Sequence, residues 1–391
     1  MYLLCLINNI AFAKCVSDSN DKGRMLKRFL IPIVFLLAGC WPVFLAGQQS
    51  GRAYEFLGLP FTARVTAMGG YAAPDFDHDL GAALIYPALL RPEVSTHLSL
   101  NFVDYFGDIN YGTVAFAKNF ERIGTFSASL QYIDYGAFTE ADETGQTFGQ
   151  FGAGEYSFMI GWGRPLNERF SIGSNIKTIY SSLYEYFSWG LAADVSVTYL
   201  DPERLVAAGL VARNIGRQVA HFRENNSEAL PFDLVFGISK KLANAPLRFS
   251  FVAHNLHRYD LTYQSPIALP GQTYWGNENG QTASERVSEI ADQFLRHMVF
   301  GAEFIPSPNF AFRLGYNYRR RQEMKVDTRM STVGFSWGFG VKIARFQLNY
   351  GRSNYHLAGA PNHISISTSI SDLFNFGASV PSQPEFHENR N

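Results

Sequence analysis

The feature that most constrains this chain is a long series of segments in which polar and apolar side chains alternate. Successive side chains along a β-strand point to opposite faces of the sheet, so alternation predicts strands with one polar and one apolar face. A soluble sandwich also alternates, so the pattern alone leaves the kind of sheet open. In residues 345–350 the polar members are Arg345, Gln347 and Asn349, and the apolar members are Phe346, Leu348 and Tyr350.

The alternating segments are long. They run for about 9–14 residues, the length of transmembrane strands, whereas ordinary strands average about 5–6 residues. We count about 14 of them by this criterion. Their predicted starts are Thr96, Ile109, Gly124, Gly152, Phe170, Tyr186, Leu205, Pro231, Leu247, His297, Phe310, Arg329, Ile343 and Asn362.

The connections between the segments alternate between short and long. Outer-membrane barrels have short turns at the periplasmic end and long loops at the extracellular end, and a sandwich has no reason to keep this rule. The short turns are Asn119–Arg122, Pro165–Glu168, Asp201–Arg204, Ala243–Pro246 and Pro306–Asn309. The long connections are Gly136–Phe151, Gly216–Leu230, Tyr259–Arg296, Arg321–Thr328 and Ser353–Pro361, and Gly107-Asp108 and Ser181–Glu185 are short exceptions among them.

Composition agrees with a barrel that is apolar outside and wet inside. Aromatic residues make up 15% of the chain and charged residues only 17%, against roughly 25% charged in ordinary soluble domains. The 33 basic and 34 acidic residues nearly cancel, which argues against a nucleic-acid partner. The sequence therefore predicts an all-β fold, a transmembrane antiparallel β-barrel of about 14 strands. Outer-membrane lipid is its expected surrounding.

The N-terminus has the pattern of a secretory signal. Lys27 and Arg28 precede the apolar run Phe29–Leu37, which small residues follow. Met25 directly precedes this run, so residues 1–24 are interpreted as an upstream extension with a possible true start at Met25.

Two cleavage sites compete. We favour cleavage between Gly47 and Gln48, while Leu37–Cys40 resembles a lipobox that would lipidate Cys40. The cysteines are Cys5, Cys15 and Cys40, so a chain cleaved after Gly47 has none. A disulfide framework, a cysteine-bound zinc and a cysteine nucleophile are then excluded.

The chain is divided accordingly. Residues 1–47 are the extension and signal, 48–95 an N-terminal plug or lead-in segment, 96–376 the barrel and 377–391 a polar tail. The lead-in segment has the pattern of a short helix and turn that could lie in the lumen. These features predict a location in the bacterial outer membrane.

One long loop carries a helix pattern. Thr282 and Glu285 form a capping box. A single apolar stripe follows, and we expect this helix to pack on the barrel rim rather than on a lipid surface, because it is short and acidic. The stripe is Val287, Ile290, Ala291, Phe294 and Leu295.

Four groups of residues could carry chemistry or binding, and for three of them a structural role is preferred. Asp75, Asp77, His78 and Asp79 could hold calcium, but a solvated loop near the plug is preferred. Asp134 and Asp142 could pair as carboxylates, and His254, His257 and His297 could serve a hydrolase, but no nucleophile motif accompanies them. Arg248, Arg313, Lys177 and Asn349 could line a ligand path, although filling the lumen is preferred. Neither catalysis nor a metal or cofactor is predicted.

The longest loop contains Tyr263, Tyr274 and Trp275. Exposed aromatic residues are good anchors of an interface, so this loop is the predicted partner surface. The same residues could instead belong to the aromatic girdle of the membrane.

A set of short runs over about residues 50–370 matches a known family in order and spacing. The runs are Phe56-Leu57 with Leu59-Pro60, Ala63–Val65, Ala67–Gly70, Tyr132–Phe138, Gly173–Lys177, His254–Leu261, Arg296-His297 and Tyr355–Gly359. Together they resemble the PorV/PorQ family of the type IX secretion system. Pro60, Arg64, Gly69 and Gly70 match its N-terminal plug signature, whereas Tyr86-Pro87-Ala88 departs from the usual Asn-Pro-Ala.

The resemblance implies a 14-stranded barrel of the fatty-acid-transporter (FadL) type. It further implies an attachment-complex component that anchors a PorZ-like surface protein, alongside PorU-like and PorV-like components. The alternative is a FadL-like transporter of hydrophobic small molecules. That function needs a lateral opening, for which a kinked strand at Gly161, Gly163 or Gly190 would be the sign. An outer-membrane hydrolase is disfavoured.

Overall fold

The structure is a computed structural model that describes residues 52–223, 227–262, 283–324, 332–355 and 359–374. All of these residues belong to one compact unit, Gly51–Asn391. The predicted signal, the cleavage sites at Gly47-Gln48 and Cys40, the polar tail and the aromatic residues Tyr263, Tyr274 and Trp275 lie outside the described residues.

The described chain forms a closed antiparallel barrel of fourteen strands, which confirms the predicted fold. Each strand pairs with its neighbours in sequence, and β1 closes the barrel against β14. The strands are β1 His97–Asp104, β2 Asn110–Phe120, β3 Gly124–Ala141, β4 Thr147–Pro165, β5 Phe170–Leu183, β6 Tyr186–Asp201, β7 Val206–Ala220, β8 Asp233–Lys241, β9 Leu247–Ala253, β10 Met298–Ser307, β11 Phe310–Asn317, β12 Phe335–Ile343, β13 Phe346–Ser353 and β14 Asn362–Ser369.

Five helices accompany the strands in the described ranges. They are α1 Ala63–Ala67, α2 Leu80–Ile85, α3 Ala283–Arg296, α4 Tyr318–Met324 and α5 Ile370–Phe374. Thr62 and Asp79 cap α1 and α2 by accepting the backbone N–H groups of Val65 and Gly81. The helix predicted in the long loop is present as α3. None of the helices in these ranges is long and apolar enough to cross a membrane.

The outer face of the wall carries two levels of aromatic residues. Tyr180 on β5 contacts Trp189 with their ring centroids 4.8 Å apart, and Phe170 contacts Tyr199 at 5.1 Å. Tyr180 lies ten positions after Phe170 on the same strand, which gives about 25 Å of height at a rise of about 3.3 Å and a tilt of about 40°. This is the thickness of the apolar band in outer-membrane barrels. The barrel is therefore built as an outer-membrane protein.

The segment 52–96, called the plug here, lies inside the barrel. Tyr54, Leu57 and Tyr86 of the plug are almost fully buried and belong to one apolar core with Ile179 and Val211 of the wall. The core of the molecule thus lies between the plug and the inner wall.

The strands have unequal heights at the long-loop end. The last pair between β2 and β3 is Asn110 with Asp134, but β3 continues to Ala141 and pairs only with β4. The prediction that residues Gly136–Phe151 form a loop was therefore wrong, because most of these residues belong to β3 and β4. They rise above the membrane, where no lipid-facing alternation is needed.

Candidate functional site

The inner wall carries glycine where the plug backbone touches it. A Cβ atom on Gly315 would lie 2.2 Å from the backbone nitrogen of Gly69, and one on Gly351 would lie 2.2 Å from the carbonyl oxygen of Ala63. A Cβ on Gly173 would lie 2.2 Å from the carbonyl carbon of Pro87. No side chain fits at these positions, so the wall is shaped to receive the plug backbone.

The glycines predicted to kink a strand belong to this contact. Gly161 and Gly163 face Leu90, and Gly190 faces the ring of Tyr54. These are positions where a strand could kink, but no kink occurs at Gly161 or Gly163, because the β3–β4 and β4–β5 registers are continuous there. The register does shift between Trp189 and Gly190.

A buried group of charged residues joins the plug to β9, β10 and β11. We call it the ionic cluster. The Nη2 atom of Arg64 lies 2.9 Å from Asp75, 2.7 Å from Asp77 and 3.3 Å from Glu303. Its members are Arg64, Asp75, Asp77 and Asp79 of the plug and Arg248, Glu303 and Arg313 of the wall.

The wall members come together through strand register. Glu303 on β10 is directly opposite both Arg248 on β9 and Arg313 on β11. Its carboxylate lies 3.2 Å from Arg248 and 2.7 Å from Arg313. Alternation predicted that Arg248 and Arg313 face inward, and they do, but they hold the plug instead of lining an open path.

The ionic cluster replaces the loop that was predicted for Asp75, Asp77 and Asp79. Asp75 is buried, and all three carboxylates lie within 4 Å of Arg64. The preferred interpretation of a solvated loop was therefore wrong for Asp75, whereas the Asp77 side chain remains 38% exposed. His78 does lie in a turn, with φ of 53°. Among the described residues no three His, Cys, Asp or Glu side chains are placed to hold a metal ion.

The pKa values of two neighbouring plug carboxylates are shifted in opposite directions. Burial raises the pKa of Asp75 to about 6, although Arg64 partly opposes this shift. Burial also acts on Asp77, but Arg64 and Arg248 outweigh it and hold the pKa of that carboxyl below its usual range. The hydrogen bonds from both arginines to Asp77 explain the difference.

A second polar group lies on the opposite side of the lumen. The Nζ atom of Lys177 on β5 donates to Asp194 at 2.9 Å and to the Asn214 side-chain oxygen at 2.8 Å. Asn175 donates to Asp194 and also to the carbonyl oxygen of Leu84 in the plug. Lys177 was predicted to face the lumen, and here it fixes the wall beside the plug.

Close to this group the wall is interrupted between β7 and β8. The two strands pair only up to Arg213 with Asp233, and residues 214–220 of β7 have no ladder on that side. Two side chains take the place of the ladder. Asn214 donates to the carbonyl oxygen of Pro231 at 2.9 Å, and the Gln218 side-chain oxygen accepts the backbone N–H of Glu228 at 2.8 Å. We call residues 214–220 with 227–232 the seam.

Both irregularities in the β6–β7 register fall within or beside the seam. One lies opposite Trp189 and Gly190, and the other lies between Ala193 and Val195, where Arg213 and Asn214 face a single residue. Asn214 adopts a positive φ of 57° and turns inward with Arg213. Such bulges bend a strand and end regular pairing.

The beginning of the plug is attached to the seam. The backbone N–H of Ala53 donates to the carbonyl oxygen of Ala229 at 3.1 Å. The Tyr54 hydroxyl contacts Ser188 Oγ at 2.6 Å, and Ser188 donates to the carbonyl oxygen of Ala220. The plug and the seam are therefore one connected structure.

The cavities beside the plug are small. One within the ionic cluster has a volume of about 20 Å³, and one near Arg213 has about 10 Å³. A volume of this size holds about one water molecule. Neither could accept an organic ligand in this conformation.

The residues of the predicted plug signature contact the wall. The carbonyl oxygen of Pro60 accepts from the Tyr111 hydroxyl, and that of Gly69 accepts from Asn317. Gly69 and Gly70 have φ of 96° and 91°, which favours glycine. Tyr86, where the chain departs from the family pattern, fills space against the wall glycines Gly209 and Gly237.

The predicted titratable pairs serve local structure. Asp134 accepts the backbone N–H of Gly136, and Asp142 accepts those of Thr144 and Gln146. His297 Nδ1 lies 2.8 Å from the carbonyl oxygen of His254, and His254 stacks on Tyr71. His257 lies apart from them, against Phe232.

The sequence reasoning missed the seam. Its one signal was the pair Arg213-Asn214, two successive polar residues that break the alternation of β7. At the seam, side-chain hydrogen bonds of Asn214 and Gln218 replace the backbone hydrogen bonds of the ladder, and no sequence pattern predicts this replacement.

No protein-family model matches the chain, and no curated protein matches it. Several solved structures match in shape. The toluene transporter TbuX of Ralstonia pickettii is 14% identical, with a TM-score of 0.48 over 80% of this chain and 99% of that chain. The CymD monoaromatic hydrocarbon channel is 13% identical, with a TM-score of 0.45 over 81% and 99%. A FadL homologue of Pseudomonas aeruginosa is 10% identical, with a TM-score of 0.41 over 79% and 98%.

These neighbours are FadL-type outer-membrane barrels. At such low identity the likeness concerns shape only. The resemblance to the PorV/PorQ family is not tested by them and stays a prediction.

Proposed function

We propose that this barrel passes hydrophobic small molecules across the outer leaflet, through the seam, when the plug moves. The observation that carries the proposal is the missing ladder between β7 and β8. Backbone groups at membrane depth need internal hydrogen bonds unless protein or a cavity covers them. A wall held there by Asn214 and Gln218 can open at the loss of two side-chain hydrogen bonds.

The height of the seam favours a hydrophobic cargo. Its strand pairs with residues 189–193 of β6, just below the upper aromatic level at Tyr180 and Trp189. Ile215 and Val219 are exposed on the outer face, as is Leu191 of β6, whose register partner on β7 is Arg217. An exit at this level meets acyl chains instead of water, so it suits molecules that partition into lipid.

The plug supplies the gate. It is attached at the seam through Ala53 and Ala229 and at strands β9 to β11 through the ionic cluster. Movement of its first residues would uncover the inner side of the seam. Gates of this kind open on microsecond to millisecond timescales.

A reversible lock on the gate tests the proposal. Arg52 and Ala229 form an isolated parallel bridge, and such neighbours lie about 4.8 Å apart, within reach of a disulfide. The variant is Arg52→Cys with Ala229→Cys in a chain with Cys40→Ala. Uptake of radiolabelled toluene and oleate is measured in cells that lack their own channel for hydrophobic compounds.

We expect the unmodified chain to raise uptake of at least one probe above cells with an empty vector. The oxidised lock should lower it by about tenfold, and reductant should restore it. Each single cysteine variant is a matched control that should be insensitive to oxidation. Equal uptake in cells with and without the chain would reject transport. Uptake that is the same with the disulfide oxidised and reduced would reject the route through the seam.

The second candidate is the role implied by the PorV/PorQ resemblance, an anchor for a PorZ-like surface protein beside PorU-like and PorV-like components. The observation that favours it is the part of β3–β6 that rises above the barrel. Phe138 stacks on Phe151 at 5.4 Å, and Phe151 contacts Tyr184 at 4.7 Å. Phe138 and Tyr184 remain 42% and 44% exposed.

The charge on this wall indicates the kind of partner. Residues 104–110, 134–154 and 181–188 contain acidic residues and no lysine or arginine. An acidic surface with aromatic anchors suits a basic protein surface. The acidic residues are Asp104, Asp108, Asp134, Glu140, Asp142, Glu143 and Glu185.

Co-purification from detergent-solubilised outer membranes of the native organism, followed by mass spectrometry, tests the anchor. A partner recovered with the unmodified chain should be lost from Phe138→Ala with Tyr184→Ala. Phe310→Ala is the matched control, because Phe310 is an exposed aromatic residue at the short-turn end of β11, away from this wall. Recovery of the same proteins with all three chains would reject this surface as the docking site.

A further inference from the structure

We propose that α3 lies in the interfacial layer of the outer leaflet, with its apolar stripe against lipid. The helix is attached to the barrel rim, as expected, but through its polar side, and its apolar stripe is exposed. Val287, Ile290 and Phe294 are 66%, 60% and 61% exposed. They recur at positions three and four apart, so they lie on one side of the helix.

The other side of α3 is fixed to the barrel. Asp292 accepts a hydrogen bond from the Tyr318 hydroxyl at 2.7 Å and pairs with Arg296 at 2.7 Å. Gln293 donates to Thr262 at 2.7 Å. The polar face is thus the attached face, and the apolar stripe points away from the contact.

The wall next to α3 shows that polypeptide covers its outer surface. Met298 and Ala253 are paired neighbours on β10 and β9. Both occupy outward-facing positions, because the inward-facing positions on these strands are Val299 and Val252. Yet Met298 and Ala253 are only 4% and 5% exposed.

Lower on the same outer face the wall is open to lipid. Phe300 and Phe249 are 40% and 49% exposed. α3 ends at Arg296, two residues before Met298, so its last turn lies at the upper end of β10. In our proposal α3 lies beside the membrane band at this level.

Lipid is the occupant that this position favours. The exposed stripe continues the apolar outer face of β9 and β10 at the edge of the band. A helix with one apolar and one polar face rests at a membrane surface with its apolar side about 5–10 Å deep. Its attached polar face carries the acidic residue Asp292, which is kept away from lipid by Tyr318 and Arg296.

Single cysteines with an environment-sensitive fluorophore test this placement. Cys5, Cys15 and Cys40 are replaced by alanine, and nitrobenzoxadiazole is attached at Ile290→Cys or Phe294→Cys in the full chain. Glu289→Cys on the polar side of α3 and Glu143→Cys in the β3–β4 turn are the matched controls. The protein is reconstituted in phosphatidylcholine vesicles that contain a shallow doxyl-labelled lipid, with iodide on both sides as the aqueous quencher. Heat-modifiable migration on gels checks that each variant is folded.

We expect the doxyl lipid to quench the fluorophore at Ile290 and Phe294 at least about twofold more than at the control positions, with little quenching by iodide. Strong iodide quenching at Ile290 and Phe294, equal to that at Glu143, would overturn the proposal, because the stripe would then face water. Quenching by neither agent would also overturn it, because the stripe would then be buried in protein.

Discussion

Glu303 is the carboxylate on which three arginines of the ionic cluster converge. They come from different elements, Arg64 from α1, Arg248 from β9 and Arg313 from β11, at 3.3, 3.2 and 2.7 Å. Removing one partner of a buried ion pair is costly because it leaves the other charges without compensation. Glu303 is therefore the residue through which the wall most directly stabilises the plug.

Glu303→Gln should destabilise the barrel by about 3–5 kcal/mol. The measurement is urea unfolding in lipid vesicles, followed by tryptophan fluorescence. Glu203→Gln is the matched control, because Glu203 pairs with Arg169 on the surface with an 82% exposed side chain, and its midpoint should not move. Equal midpoints for both variants would contradict the role given to Glu303.

Asp75 and Asp77 should respond in opposite ways to the loss of their charge. The pKa of Asp75 is raised to about 6 by burial, so the folded state takes up a proton between pH 8 and 5 that the unfolded state does not. The contribution of Asp75 to the free energy of unfolding therefore increases as the pH falls through 6 and decreases as the pH rises. The lowered pKa of Asp77 adds stability at neutral pH that is lost only in stronger acid.

Asp75→Asn should accordingly keep or increase stability at pH 8 and flatten the change between pH 8 and 5. Asp77→Asn should lose stability at both pH values, because its contacts with Arg64 and Arg248 are lost. Unfolding midpoints of both variants at pH 8 and 5 are the measurement. A loss of stability at pH 8 in Asp75→Asn as large as that in Asp77→Asn would contradict the assignment.

At the level of elements, the seam should be the least protected part of β7. Amides of residues 214–220 that point away from β6 have no partner strand, whereas β5 is paired on both sides over residues 171–183. Hydrogen exchange followed by mass spectrometry should show faster exchange in 214–220 than in 206–213. Asn214→Ala should accelerate it further and leave β13, which is paired on both sides and has no contact with Asn214, unchanged. Uniform protection along β7 would show that the seam is a closed wall.

The elements show what sequence can predict. Alternation predicted the starts of β3, β5, β6, β9, β11 and β14 to the residue, because lipid on one face and the lumen on the other require it. β4 begins at Thr147 and not at Gly152, since that part of the strand rises above the membrane. β12 and β13 begin at Phe335 and Phe346, later than the predicted Arg329 and Ile343. Contacts between plug and wall, such as Arg64 with Glu303, depend on three-dimensional placement that spacing does not encode.

At the scale of the whole molecule, the lumen is blocked because the plug backbone packs directly against glycines of the inner wall. Gly315 faces the backbone of Gly69 with no room for a side chain. Gly315→Trp should displace the plug and give at least about tenfold more ion conductance in planar bilayers than the unmodified protein, since its cavities hold only about one water each. Gly149→Trp is the matched control, because Gly149 lies on the rising part of β4 with only one atom, of Glu140, within 4 Å. Equal conductance of the two variants would contradict closure by fit.

The path of the plug also dictates an order of assembly. Its first residues are bonded to Ala229 and Ser188 at the long-loop end, and its last residues enter β1 at the short-turn end. The chain therefore crosses the lumen lengthwise before it begins to build the wall. β1 must finally meet β14, and a wall that closed without the plug would afterwards have to admit it into contacts that leave no room for a Cβ atom at Gly173, Gly315 and Gly351. We therefore expect the wall to fold around the plug, with the joining of β1 to β14 as the last step.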